Sequence, residues 1–66
     1  MYKNKIKKYR IERDMTLRTL AEKVGISAGY LCHLEKGTRK NPSTKVMEKI
    51  SEILGKTVSE IFFSNE

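Results

Sequence analysis

Residues 16–37, TLRTLAEKVGISAGYLCHLEKG, decide the fold of this 66-residue chain. At about 100° per residue, Leu17, Leu20, Ala21 and Val24 fall on one stripe, so the first part is a helix with a single face to bury. Thr16 is placed to cap its start, because a hydroxyl there can accept from a first-turn N–H that has no partner inside the helix. Gly25 suits the left-handed residue on which many helices stop. Ile26 fills the turn, and Ser27 caps a second helix. In that helix Leu31, Leu34 and Glu35 share one face, while Gly29, Cys32, His33 and Lys36 share the other, with Ala28 and Tyr30 at the edges. The back is made to pack; the front is small, polar and basic. A helix held by its back, with short side chains outward, has the shape of one that enters a groove.

Working outward, the opening segment MYKNKIKKYRIERD places Tyr2, Ile6 and Tyr9 on one stripe, with Arg13 beside it and Arg10 at its edge. The pattern predicts an amphipathic helix over about residues 3–13. Lys3, Lys5, Lys7 and Lys8 occupy the remaining surface. A helix lying on a membrane would need a wider apolar face than three positions offer. Asp14 and Met15 make the turn into residues 17–24, and Ile11 points away from the stripe with no core role.

Beyond residues 28–36, TRKNPS reads as a loop. Pro42 cannot sit inside a helix, so it marks the approach to the next one, with Asn41 or Ser43 as cap. Over residues 43–54 the apolar positions Val46, Met47, Ile50, Ile53 and Leu54 lie within about a third of the circumference. Gly55 ends this helix, and Thr57 with Glu60 forms a capping box for a last helix over 58–63. Phe62 and Phe63 are adjacent and cannot both face inward; one of them is expected either to pack across the chain end or to be exposed as a contact for another molecule. No repeat, low-complexity run or strand-period alternation is present. The fold class is therefore all-α, a compact bundle of five helices in one domain spanning residues 1–66.

Composition narrows the function. A chain this short has a thin core, which a partner subunit would help to complete. Its single cysteine excludes an internal disulfide framework, and with no secretory or membrane-spanning segment it points to a reducing cytoplasm. Lys and Arg number 14 against 8 Asp and Glu, a net charge of +6. That balance favours polyanions: nucleic acid first, an anionic membrane second, a merely solubilising surface third. Cys32 and His33 are neighbours with no further ligands at metal spacing, so no metal site is expected. No base or orienting acid is arranged around the thiol, so no catalytic residue and no enzyme activity are expected either. Cofactors: none.

The motif LAEKVGISAGYLCHLEKGTRKNPS, followed by KISEIL and VSEIF, resembles the helix-turn-helix domain of the phage Cro and repressor type, the Xre-like family. The resemblance covers nearly the whole chain without gaps. It implies the lambda-repressor-like bundle, with residues 17–24 crossing the sugar-phosphate backbone of double-stranded DNA and residues 28–36 lying in the major groove. Carried over position by position, it makes Ala28, Gly29, Cys32 and His33 the candidate base readers, with Tyr30 at the flank. It also pairs Arg10 with Glu35 as an ion pair tying the first helix to the third. Leu17 stands where related repressors commonly have glutamine, which puts one phosphate contact in doubt.

Phosphate contacts supply affinity and register, whereas base edges supply sequence preference. The expected phosphate contacts are Thr16, Arg18, Ser27, Tyr30, Lys36, Thr38, Arg39 and Lys40, helped by the free N–H groups of helix N-termini. His33 can donate to guanine N7 or O6, and Ala28 can meet a thymine methyl. Gly29 reads nothing itself but permits close approach. With no Gln, Asn or Arg on the outer face, direct bonds are few and DNA shape or water carries more of the readout.

The resulting expectation is a cytoplasmic, nucleoid-associated transcription regulator, a repressor acting as a homodimer with Phe62 or Phe63 at the dimer contact. Neither a membrane nor a small-molecule ligand is expected as partner. The other class is a protein-interaction module, such as an antitoxin or anti-repressor, using the apolar C-terminal end.

Overall fold

Four of the five helices open on a side-chain cap. The computed structural model describes residues 3–38 and 42–63. The helices are α1 (Ile6–Glu12), α2 (Leu17–Val24), α3 (Ala28–Lys36), α4 (Thr44–Leu54) and α5 (Val58–Phe62). Thr16 Oγ1 accepts from the Thr19 N–H at 3.0 Å, Ser27 Oγ from Tyr30 at 3.1 Å and Ser43 Oγ from Val46 at 3.4 Å. At α5 the exchange is reciprocal: Thr57 Oγ1 accepts from Glu60 N–H at 3.0 Å, and Glu60 Oε1 accepts from Thr57 N–H at 2.9 Å. Each cap pairs a first-turn donor that the helix itself leaves open.

Glu60 is held below its ordinary value chiefly by the Thr57 backbone N–H, then by the Thr57 hydroxyl, with Lys56 adding a smaller electrostatic contribution. At the other end of α2, Gly25 adopts φ +89°, a left-handed conformation that lets the chain turn sharply into α3.

The first helix is shorter than its pattern predicts at both ends. Lys5 is non-helical, and its N–H donates to the Ile61 carbonyl at 2.8 Å, which draws the incoming strand toward α5. Asn4 takes over the capping: its Oδ1 accepts from Ile6 N–H at 3.1 Å, while its Nδ2 donates to the Leu34 carbonyl at 2.7 Å. At the far end Asp14 sits at φ +55°, Asp14 N–H donates to Ile11 O at 2.9 Å and Met15 N–H to Arg10 O at 3.1 Å. That is the Schellman arrangement, with aspartate where glycine is usual. Tyr2, assigned to the first stripe, lies outside the described residues, as do Arg39, Lys40 and Asn41.

All five helices feed one core: Ile6 from α1, Leu20 and Ala21 from α2, Leu31 and Leu34 from α3, Ile50 and Leu54 from α4, Ile61 and Phe62 from α5. α4 lies against α1, α2 and α5, and α2 against α3. Pro42, just before the Ser43 cap, is buried. Tyr9 is half-buried, with the Lys56 and Lys8 ammonium groups 5.0 and 5.6 Å from its ring centroid. Gly55 meets Arg13 closely: a Cβ at Gly55 would stand 2.5 Å from Arg13 Nη2, so any larger residue displaces the guanidinium.

Phe62 corrects one expectation. It is 4% exposed and part of the core, so it is not available as a dimer contact; packed against α4, α5 turns Ile61 and Phe62 inward and leaves Phe63 57% exposed. Ile11 is likewise turned out, at 54%. Among the described residues no helix is long and apolar enough to cross a membrane.

Candidate nucleic-acid interface

The interface starts with how α3 is fixed from behind. Leu31 and Leu34 are buried, and Glu35 receives two bonds from Arg10: Nε to Oε2 at 2.7 Å and Nη2 to Oε1 at 3.1 Å. The third guanidinium nitrogen, Nη1, donates to the Met15 carbonyl at 2.8 Å, so one side chain binds α3 and also closes the α1–α2 turn. The two side chains are 12% and 6% exposed. The hydrogen bond to Glu35 raises the Arg10 pKa above its ordinary value against the opposing effect of burial, so the guanidinium stays charged. A planar fork meeting a carboxylate at two points fixes orientation as well as distance.

The front of α3 is open at Gly29, His33 and Lys36. Nothing stands within 4 Å of where a Cβ would project from Gly29, and His33 and Lys36 are exposed. Ala28 and Tyr30 differ: both are half-buried and pack partly against the core, so they border the face. Cys32 is half-buried as well. It lines an open cleft of about 370 Å³ between α1, the start of α2 and α3, with Lys7, Arg10, Leu17, Glu35 and Lys36 as the other walls. Leu17 therefore does two things, packing on the core and walling the cleft. Among the described residues no three His, Cys, Asp or Glu side chains are grouped to hold a metal.

The hydroxyls at the helix starts are not equivalent. Thr16 Oγ1 accepts from Thr19 N–H and donates to Thr19 Oγ1 at 2.9 Å, which commits its proton. The donor left over at the start of α2 is the Thr19 hydroxyl, a residue that the apolar stripe gave no reason to single out. Ser27 Oγ accepts from Tyr30 N–H and keeps its own proton for an outside acceptor. Arg18 and Lys36 are exposed, one on α2 and one at the end of α3. Thr38 is exposed too, but its hydroxyl donates to the His33 carbonyl at 3.2 Å and touches His33 Nδ1 at 3.0 Å. A hydroxyl has one proton, so Thr38 has none left for a phosphate oxygen. Arg39 and Lys40 lie outside the described residues.

Two helices joined by a glycine turn, the second locked at its back and open at its front, define a helix-turn-helix domain. The chain belongs to the helix-turn-helix family, whose profile matches residues 6–61. It is 40% identical over 58 residues to the HTH-type transcriptional regulator SinR of Bacillus subtilis, covering 88% of this chain and 52% of SinR. It is 42% identical over 57 residues to the immunity repressor of Bacillus phage phi105, covering 86% of this chain and 39% of that protein. The chain thus spans about half the length of SinR or less of such relatives. The crystal structure of SinR in complex with DNA superposes with a TM-score of 0.75 at 42% identity, over 80% of this chain and 84% of that one.

Proposed function

We propose that this chain is a sequence-specific, double-stranded-DNA-binding domain of a transcription regulator, acting as a repressor by placing α3 in the major groove. The observation that carries the reading is the asymmetry of α3: Leu31, Leu34 and Glu35 are held against the protein, and the Gly29–His33–Lys36 side is uncovered. The relatives' names and the SinR complex with DNA support it. Gly29 lets the backbone approach the groove wall, His33 and Cys32 face base edges, and Ala28 meets the groove at its border. Arg18, Ser27, Thr19 and Lys36 face phosphates, with the first-turn N–H groups of α2 and α3 adding partial positive charge. Arg39 and Lys40 extend this basic edge. The net charge of +6 supplies long-range attraction.

The regulator works in the cytoplasm, on the nucleoid, as a homodimer on a two-fold site, with Phe63 as the exposed apolar contact. A protein-interaction module using the C-terminal end is the poorer reading, because the relatives are transcription regulators and repressors and one of them is solved in complex with DNA.

Selection of duplexes from a random pool, followed by binding at several salt concentrations, tests the proposal. Groove binding predicts a recovered consensus and an affinity that falls linearly on a log–log salt plot. Recovery of random sequence with a flat salt response refutes it. Sedimentation of the selected complex separates one copy per site from two.

A further inference from the structure

The cleft between α1, the start of α2 and α3 carries positive charge that nothing in the fold uses. We infer that it seats a phosphate of the DNA backbone, with Lys7 of α1 as the side chain that binds it, so that the interface extends beyond the two central helices onto the first. The inference rests on the DNA-binding reading and deepens it, since it names a phosphate-binding residue on a helix to which that reading gives no contact.

Three cations and one anion wall the cleft: Lys7, Arg10 and Lys36 against Glu35. The Arg10–Glu35 bonds at 2.7 and 3.1 Å neutralise one pair of charges, which leaves Lys7 and Lys36. Both are exposed, and neither ammonium has a carboxylate partner among the described residues, where the ion pairs are Arg10 with Glu35 and Lys49 with Glu52. The remaining walls, Leu17 and Cys32, bring an apolar side chain and a weak donor, so they neither hold an anion themselves nor quench the two ammonium groups. Like charges above low-dielectric walls focus positive potential into the opening.

The register of α1 decides which lysine faces the cleft. Residues three apart are neighbours on a helix surface, so the guanidinium of Arg10, which grips Glu35 on α3, brings Lys7 to the same side. Lys8 follows at about 100° around the helix, and its ammonium stands 5.6 Å from the Tyr9 ring centroid, on the ring that Lys56 also approaches. Two adjacent lysines of equal charge thus have different surroundings. On the opposite wall, Cys32 and Lys36 belong to the face that α3 turns to the groove, so the cleft opens beside that face and next to the first turn of α2. With α3 in the groove, the bordering backbone passes over this opening. A flexible stem ending in a compact ammonium meets a phosphate there as a point charge.

Lys7→Gln, Lys7→Arg and Lys8→Gln test this on the duplex selected from a random pool; K8Q removes the same charge as K7Q, one position away. Both sites are exposed and glutamine matches lysine in helix propensity, so the fold is retained. K7Q should flatten the log–log salt slope by about 0.9, so that between about 50 and 200 mM salt the parent loses about 3.5-fold more affinity than K7Q. K7R and K8Q should keep the parent's slope, and K7Q should keep the parent's base preferences, because a phosphate contact carries no sequence. Replacing the duplex phosphates one at a time by uncharged methylphosphonates should reveal a position at which the parent weakens and K7Q does not. A K7Q slope equal to the parent's overturns the inference, and so does equal flattening in K8Q, which would mean a diffuse field in place of a seat. K7Q weakening at every methylphosphonate position that weakens the parent overturns it as well. A parent that binds no duplex refutes the DNA-binding reading itself, whereas a steep parental slope left unchanged in K7Q refutes the phosphate seat alone.

Discussion

Glu35→Gln should be among the costliest single substitutions in this protein, although it changes one atom. The carboxylate side chain is 6% exposed and its partner Arg10 is 12% exposed, so a guanidinium left alone regains only part of its hydration, through the cleft that both residues wall. Glutamine keeps one acceptor oxygen but turns an amide NH2 toward a nitrogen that must also donate. Breaking one side of a buried pair costs about 3–5 kcal/mol, because the surviving charge stays desolvated. The retained Nη1 bond to the Met15 carbonyl favours keeping the guanidinium in place.

A domain of this length has a total stability of about 3–10 kcal/mol, so E35Q removes a large share of it. The informative comparison is the double replacement Arg10→Met with Glu35→Leu. It eliminates both charges together and should recover most of the loss, since a buried pair exchanged for apolar groups of similar volume is often neutral. Urea unfolding followed by helical circular dichroism gives each free energy, and the cycle over single and double variants gives the coupling. An E35Q loss below about 1 kcal/mol would show the pair to be effectively solvent-screened. A double variant as unstable as the single ones would show that the penalty comes from packing and not from stranded charge.

Asn4→Ala removes both the cap on Ile6 N–H and the bond to the Leu34 carbonyl, so it should lower stability by about 1–3 kcal/mol in the same unfolding assay. An unchanged midpoint would mean that the incoming strand does not hold α1 in place. Asp14→Gly should raise stability by about 1 kcal/mol, because it relieves a left-handed conformation that costs a side-chain-bearing residue about that much. A fall in melting temperature would contradict it. The Glu60 carboxylate, held below its ordinary value by the Thr57 N–H, contributes stability that is fully present above the ordinary glutamate range and is lost as pH falls through the depressed folded value. A carboxyl NMR titration should place the Glu60 midpoint below that of a free glutamate, and Thr57→Ala should move it up; a midpoint at the ordinary value removes the capping box as its cause.

The helix-turn-helix was legible because its information is local. Thr16, Gly25 and Ser27 announce boundaries within a few residues of where they act, and Leu31, Leu34 and Glu35 share a face by spacing alone. The start of α1 was not, because what ends it is a carbonyl on Ile61 and another on Leu34, both distant in sequence. The far end of α1 was hidden for a different reason, an aspartate in a position where glycine is the usual signal. Between Phe62 and Phe63, a short helix gives too little periodicity to choose the inward ring; the contacts of α5 with α4 decide it. At the interface, the outward face of α3 follows from spacing, whereas the commitment of the Thr16 and Thr38 protons depends on side-chain geometry. The availability of the Thr19 hydroxyl depends on the same geometry.

The backbone bond from Lys5 to Ile61 makes neighbours of the first and last described helices. A short linker across that pole, with the chain opened instead in the turn after Gly55, would convert α5 into the leading helix while leaving each helix among its present companions. Such a permuted protein should fold to the same helical content and pick the same duplexes, since the order in which the helices are threaded is separable from the surface that α3 presents.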